Sequence, residues 1–322
     1  MTWAQYGLIQ SVDYNLLVTG DSSGSTNTAN AALNTFWAVG NQNKGYGHAA
    51  TPAVAVGDTV IATGKWNTLV VGTSNAATHC GTTFSTVTIP ISGGPIAYLP
   101  NLITNIGNVY ANRLNAVSQG TTSSNTATYG SAWLNAITAT HTITFASGDA
   151  ARYFFNAGGQ LAVTVSHPTG TGIDLLLNNL ASNVGTVVLS SPTTGTVTII
   201  SPNTYNGITK VGGGGNAPTM LPNNGYFALT TTNAAVFSQT ASTGPAGYLS
   251  TSIAVAIKSN GTQGANGDAG SVITIYTTWD EIPNGLSVAA GSATTVTLRP
   301  PETTNIANNW GAITLSGVVS GT

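Results

Sequence analysis

The apolar positions of this chain change period part-way along. Up to residue 120 they recur at intervals of three and four. Ala29, Ala32, Leu33, Phe36 and Trp37 share one helical face between a cap at Thr26 or Asn27 and a stop at Gly40. Trp66, Leu69, Val70 and Ala77 do the same between Thr63 and Gly81, although Gly64 and Gly72 weaken that helix. A third helix is the most regular. Pro100 suits its first turn, and Leu99, Leu102, Ile103, Ile106, Val109, Tyr110, Leu114 and Val117 repeat at helical spacing until Gly120.

Residues 121–131 (TTSSNTATYGS) form a polar, low-complexity stretch that reads as a linker. Beyond it the period falls to two. Alternation over 141–145, 160–165, 196–200, 226–230, 251–257, 272–276 and 295–298 predicts strands with one buried face, separated by turn signals such as PNTYNG and LPNNG. Two helices interrupt them. Ser147 is an N-cap candidate, Asp149 favours the positive helix end, and Gly158 is the left-handed stop, with Ala151, Phe154 and Phe155 inward. The other runs from about Asp174 to Asn183, with Ile173, Leu176, Leu177, Leu180 and Val184 apolar and Gly185 as its end. Both are expected to cover an open sheet face. The fold class is therefore α+β: a mainly helical docking domain over 1–121, a polar linker over 122–140, and an antiparallel β-sandwich with one or two short helices over 141–322.

Composition narrows the function. With 41% hydrophobic residues the 322-residue chain can bury a large core, and seven Lys or Arg against nine Asp or Glu leave a net charge of −2. Charged residues are 5% of the chain against about 25% in an average protein. No basic stripe exists to follow a phosphate backbone, so direct nucleic-acid binding is not expected. A neutral surface of Thr, Ser and Asn also repels its own copies weakly, which favours close subunit packing and a homo-oligomer. Cys80 is alone, so no intrachain disulfide is possible. The N-terminal segment has no charged n-region or long apolar run, and nowhere do 18 apolar residues follow one another, so neither a signal peptide nor membrane insertion is expected.

Candidate chemistry is sparse. The four histidines, His48, His79, His141 and His167, lack metal-ligand spacing, and no cofactor is expected. Asp280-Glu281, the one adjacent carboxylate pair, precedes a Pro283-Asn284-Gly285 turn and reads as solvated. No G-x-S-x-G elbow occurs, and no Ser, His and Asp follow a recognisable order. The loop GNQNKGYGH holds Gly40, Gly45 and Gly47 around Lys44, without the order of a phosphate-binding loop. It is expected to reach a neighbouring subunit, with His48 as a hydrogen-bonded loop residue. Gly212 to Gly215 read as a hairpin tip. In GDAARYFFNAGG, Arg152, Tyr153, Phe154, Phe155, Asn156, Gly158 and Gly159 mark a fold-specifying joint rather than a catalytic centre. Phe154 and Phe155 are expected in the core. Arg152 is expected off that line, in a modest pair with Asp149, and dispensable for binding.

Several motifs occur together and in order. They are W-x-Q-Y-G-L-I-Q-S-x-D-Y-N-x-L from Trp3, F-W-A-V-G-N-Q-N-K-G-Y-G-H from Phe36, V-x-V-G-D-T-V-x-A-T-x-K-W-N-T-L from Val54, H-C-G-T from His79, I-x-Y-L before the helix ending N-R-L-N-A, and F-A-S-G-D-A-A-R-Y-F-F-N-A-G-G-Q-L from Phe145. Over nearly the whole chain this resembles a recurring virion structural protein of tailed bacteriophages, most familiar from myoviruses of cyanobacteria. The resemblance implies a particle component at the neck or collar, tail, baseplate, fibre or a capsid-associated layer; with the scarce charge and the lack of a signal peptide, the expectation is a non-enzymatic virion protein made in the host cytoplasm and assembled with itself and other virion proteins. The resemblance implies no cofactor and no catalytic residue. The alternative is a host-binding module for surface glycans, with Trp279, Tyr276, Tyr248 and Trp310 as stacking faces. A polysaccharide-degrading enzyme would need convergent carboxylates, which no spacing here favours.

Overall fold

The computed structural model describes residues 11–20, 31–55, 62–89, 99–283 and 285–321. The N-terminal part carries helices α1 (Ser11–Val18), α2 (Leu33–Phe36), α3 (Asn67–Cys80, entered through a π-helical turn at Ala62–Trp66) and α4 (Leu99–Asn112). There follow β1 (Ser123–Thr128), β2 (Ala136–Thr144), α5 (Gly148–Asn156), β3 (Gln160–Ser166), α6 (Ile173–Val184) and β4 (Thr186–Leu189). The short strands β5 (Val197–Thr198) and β6 (Thr204–Tyr205), then β7 (Ile208–Val211), β8 (Thr219–Met220) and β9 (Ala234–Thr240) come next. The last four are β10 (Ser252–Ser259), β11 (Val272–Asp280), β12 (Ala293–Arg299) and β13 (Thr314–Gly321).

Two antiparallel sheets form a sandwich, in the orders β1-β12-β3-β4-β7 and β13-β2-β11-β10-β9-β8. The α+β class is as expected. Strict alternation drives it: in β2, β10 and β11 every second side chain is buried, and Ile143, Ile257, Ile273 and Ile275 face the other sheet. Helix α6 touches β3 of one sheet and β9 and β10 of the other, so it closes an open side of the sandwich rather than lying on one sheet. The N-terminal helices are continuous with this core, since Phe36, Trp66 and Leu69 belong to the same apolar cluster as Phe154, Val296 and Ile275.

Some elements depart from the sequence reading. Residues 121–131 are not simply a linker: 123–128 form the edge strand β1, whose register is set by hydroxyl pairs, Ser124 with Thr297 at 3.0 Å and Thr126 with Thr295 at 2.8 Å. The last part of the expected linker region, from Ala136, belongs to β2. Residues 226–230 are not a strand: Tyr226–Ala228 make a 3-10 turn, and the buried positions Tyr226 and Leu229 lie three apart. The third helix stops at Asn112 instead of Gly120. Residues beyond it peel away to pair with the β5–β6 hairpin, Ala116 N–H donating to Thr198 and Ala116 C=O accepting from Ile200. The expected caps Thr26 and Asn27, and Ala29 with them, lie outside the described residues.

Candidate functional site

Helix α5 is short and well specified. Ser147 Oγ accepts from the Ala150 N–H at 3.0 Å, and Gly158 at φ +90° ends the helix. A side chain at Gly158 would meet Ala116, and one at Gly159 would stand 2.5 Å from the Phe154 ring. Two of the three consecutive aromatics enter the core, as expected. Phe154 meets Phe155 edge-on at 5.1 Å and Trp310 at 6.2 Å, and Phe155 stacks on Tyr226 at 4.2 Å. Tyr153 lies under the Arg152 guanidinium and beside Gly47, where any Cβ would clash with its ring.

Arg152 is the correction. It is 0% exposed, not peripheral. Its Nε and Nη2 donate to Asp149 Oδ1, and its Nη1 donates to the carbonyls of Val39 and Lys44, both at 2.8 Å. Asn156, also buried, turns its Nδ2 toward the carbonyls of Gln42, Lys44 and Gly45, each 3.1 Å away. The glycine-rich loop thus directs carbonyls inward onto a cation and an amide. A phosphate cradle needs the opposite polarity, N–H groups pointing at the ligand.

The same loop is held from other sides. Arg113, just after α4, donates to Asn43 O and Oδ1, Tyr46 Oη donates to Arg113 O, and Asn309 Nδ2 donates to Tyr46 O. Asn41 Oδ1 accepts from Asn266 N–H. Gly40 and Gly45, at φ +57° and +91°, leave no room for a Cβ. His48 is not simply a hydrogen-bonded loop residue: its ring stacks flat on Trp37 at 3.8 Å, Nε2 is buried without a partner, and burial lowers its pKa to about 4. His79 Nε2–H donates to the Ala157 carbonyl at 3.0 Å, and burial, outweighing that bond, lowers its pKa to about 4.

No family model, curated protein or solved structure matches the chain. The local chemistry therefore carries the reading. Among the described residues no group of three or more His, Cys, Asp or Glu is placed to hold a metal ion.

The structure does assemble a Ser, His and Asp that sequence order concealed. Trp133 Nε1–H donates to Ser292 Oγ at 3.1 Å, Ser292 Oγ lies 2.9 Å from His167 Nδ1, and His167 Nε2 lies 3.1 Å from Asp174 Oδ1. With the imidazole neutral, Ser292 donates to Nδ1 and Nε2–H donates to Asp174; burial favours that form and lowers the His167 pKa against the pull of Asp174. Ser292 is 1% exposed, with its oxygen shared between Trp133 and His167. A nucleophile needs an approach path for its electrophile, and none reaches this oxygen. The chain of bonds instead ties the approach to β12 to the end of β3 and the first turn of α6. No sequence pattern could have shown it, because Trp133, His167, Asp174 and Ser292 lie on four separate segments.

Other candidates shift as well. Glu281 is fully buried and accepts from the Gly285 and Leu286 N–H groups, so the carboxylate pair is not a solvated turn. Trp279 and Trp310 are 1% and 3% exposed and offer no stacking face. Tyr248 packs against the core, and Lys258 lies over the Tyr276 ring. The four-glycine stretch wraps the end of α6, with Gly214 N–H donating to Asn183 O.

Proposed function

We propose that this protein is a structural component of a tailed-phage virion that assembles with copies of itself and with other particle proteins. The observation that carries the reading is the edge of the six-stranded sheet. Strand β13 pairs with β2 alone, runs eight residues as TLSGVVSG, and has Val318 67% exposed. Monomeric proteins blunt such edges with charge, proline or very short strands. This one has none of those devices.

The sheet face behind the edge carries few charges, with Lys258 toward one end and Asp280 at the other. Its outward rows set Ser320, Thr138, Thr278 and Ala254 side by side, then Val318, Thr140, Tyr276 and Ala256, with Lys258 the cation of the third row. A neutral hydroxylated face can approach a copy of itself without repulsion. The motif resemblance points the same way, toward a particle protein. No helix among the described residues is long and apolar enough to cross a membrane.

Sedimentation velocity tests the reading. The expected result is a defined oligomer at micromolar concentration, shifted toward monomer by Val318→Lys with the melting temperature unchanged. A wild-type chain that stays monomeric, and is missing from the peptides of purified particles, would overturn it.

A further inference from the structure

A second feature of the molecule is a pocket of about 280 Å³ between the Gln42 loop, the turn at Pro192 and the loop at Gly264. Its size lies just below the usual range of ligand sites, about 300 to 1,000 Å³. That suits one ring rather than an extended chain. None of its lining residues is charged. The polar residues of the wall are Gln42, Asn43, Thr193 and Thr194, with Gln263 behind them, its Nε2 already donating to Ser259 Oγ and Gly270 O. The apolar wall includes Phe227, whose ring is held edge-on to the buried Tyr226 at 4.9 Å. Gly264 lies against that ring, and a Cβ at this position would stand only 3.2 Å from it.

The wall is organised in advance. Gln42 stands at φ +52°, a conformation that a residue with a side chain adopts at a cost of about 1–2 kcal/mol. The chain uses glycine at 40, 45 and 47 in the same loop, yet keeps a glutamine here. Its N–H donates to Gly264 O and to Asn41 Oδ1, and its carbonyl accepts from Asn156. Its side chain does nothing comparable for the fold: Gln42 is exposed. Backbone strain of this kind persists where the surroundings over-determine it, and it concentrates at binding sites. Arg113 in turn holds Asn43 Oδ1, which leaves the Asn43 amide nitrogen as the donor.

We infer that this pocket binds one ring of a neutral saccharide. Phe227 meets the C–H face of the sugar, and Gln42, Asn43, Thr193 and Thr194 exchange hydrogen bonds with its hydroxyls. Uncharged amides and hydroxyls beside one aromatic ring fit a ligand that is polar at its edge and apolar on its face. The absence of any lining cation or carboxylate favours neutral sugars over acidic or basic ones. The site is separate from the β13 edge, so a failure here leaves the assembly reading untouched, and the reverse also holds.

Saturation-transfer NMR on the full chain tests it, with D-glucose, D-galactose and N-acetyl-D-glucosamine as probes and D-glucuronate as the charged control. At least one neutral sugar should receive saturation more strongly than glucuronate. Loss of one hydrogen bond, about 1 kcal/mol, corresponds to about fivefold weaker binding. Gln42→Gly and Thr194→Val should each show that loss. Gln42→Gly relieves the backbone and Thr194 is exposed, so both variants should fold with an unchanged or higher melting temperature. No saturation of any of the three neutral sugars, preference for glucuronate, or wild-type binding by both variants would overturn the assignment.

Discussion

Arg152 shows how far one residue's role depends on what folds against it. Three residues after Asp149, it reads from sequence as half of a modest helix-surface pair. In the fold, the loop from Val39 to Gly47 closes over it and supplies the carbonyls that complete its hydrogen bonding. Removing it would strand the Val39 carbonyl and take one donor from the Lys44 carbonyl and the charged partner from Asp149. Arg152→Ala is therefore expected to destabilise the protein by about 3–5 kcal/mol, the range for breaking a buried pair. Because Asp149 is partly exposed and can be hydrated, the lower end applies. Urea denaturation measures this. A loss below about 1 kcal/mol, the scale of an exposed pair, would mean that the loop is not anchored through Arg152.

At the scale of elements, legibility followed burial. Strands β2, β10 and β11 are buried on one face, so their periods were visible, whereas helix α5, buried almost all round, was marked by its Ser147 cap and Gly158 stop. Strand β4 was not, because Val187, Val188 and Leu189 are all buried, between the main core on one side and the Ala116–Tyr205 cluster on the other. A strand covered on both faces loses its alternation. Strand β1 lacked an apolar signal, since Ala127 is its one buried residue. In β13 the inward row is broken by Gly317, where a Cβ would stand 2.5 Å from Asn125 Oδ1 and 2.6 Å from the His141 ring. Gly317→Val is expected to force these apart at about 1–3 kcal/mol. Hydrogen exchange should then speed up in β13 before the rest of the sheet. Uniform exchange with unchanged stability would refute that packing.

At the scale of the molecule, buried histidines make stability depend on pH. His48 and His79 are both lowered from 6.5 to about 4 by burial, and His141 and His167 are lowered in the same direction by the same cause. A histidine whose folded pKa is depressed leaves the native state neutral while the unfolded chain takes up a proton. Stability is then full above about pH 6.5 and falls as pH drops toward 4. For the almost fully buried His79 the loss amounts to about 3 kcal/mol. Denaturant midpoints should fall steeply over that window, and His79→Gln, which keeps a donor for Ala157, should flatten the slope by about one proton. A pH-independent midpoint between about 7 and 4.5 would contradict it.

Sequence alone determined the change of period near residue 121, the antiparallel α+β class, the Ser147 cap with its Gly158 stop, and the burial of Phe154 and Phe155. Those are local properties: spacing, capping chemistry and the cost of leaving aromatics in water act within a few residues. Tertiary structure decided which carbonyls surround Arg152, that Ser292, His167 and Asp174 meet in a closed chain of bonds, that Trp279 and Trp310 are core residues, and that Gln42 stands beside Phe227. Each of these depends on contacts between segments far apart in the chain, where side-chain direction and burial are set by the packing of whole elements rather than by the residue's neighbours.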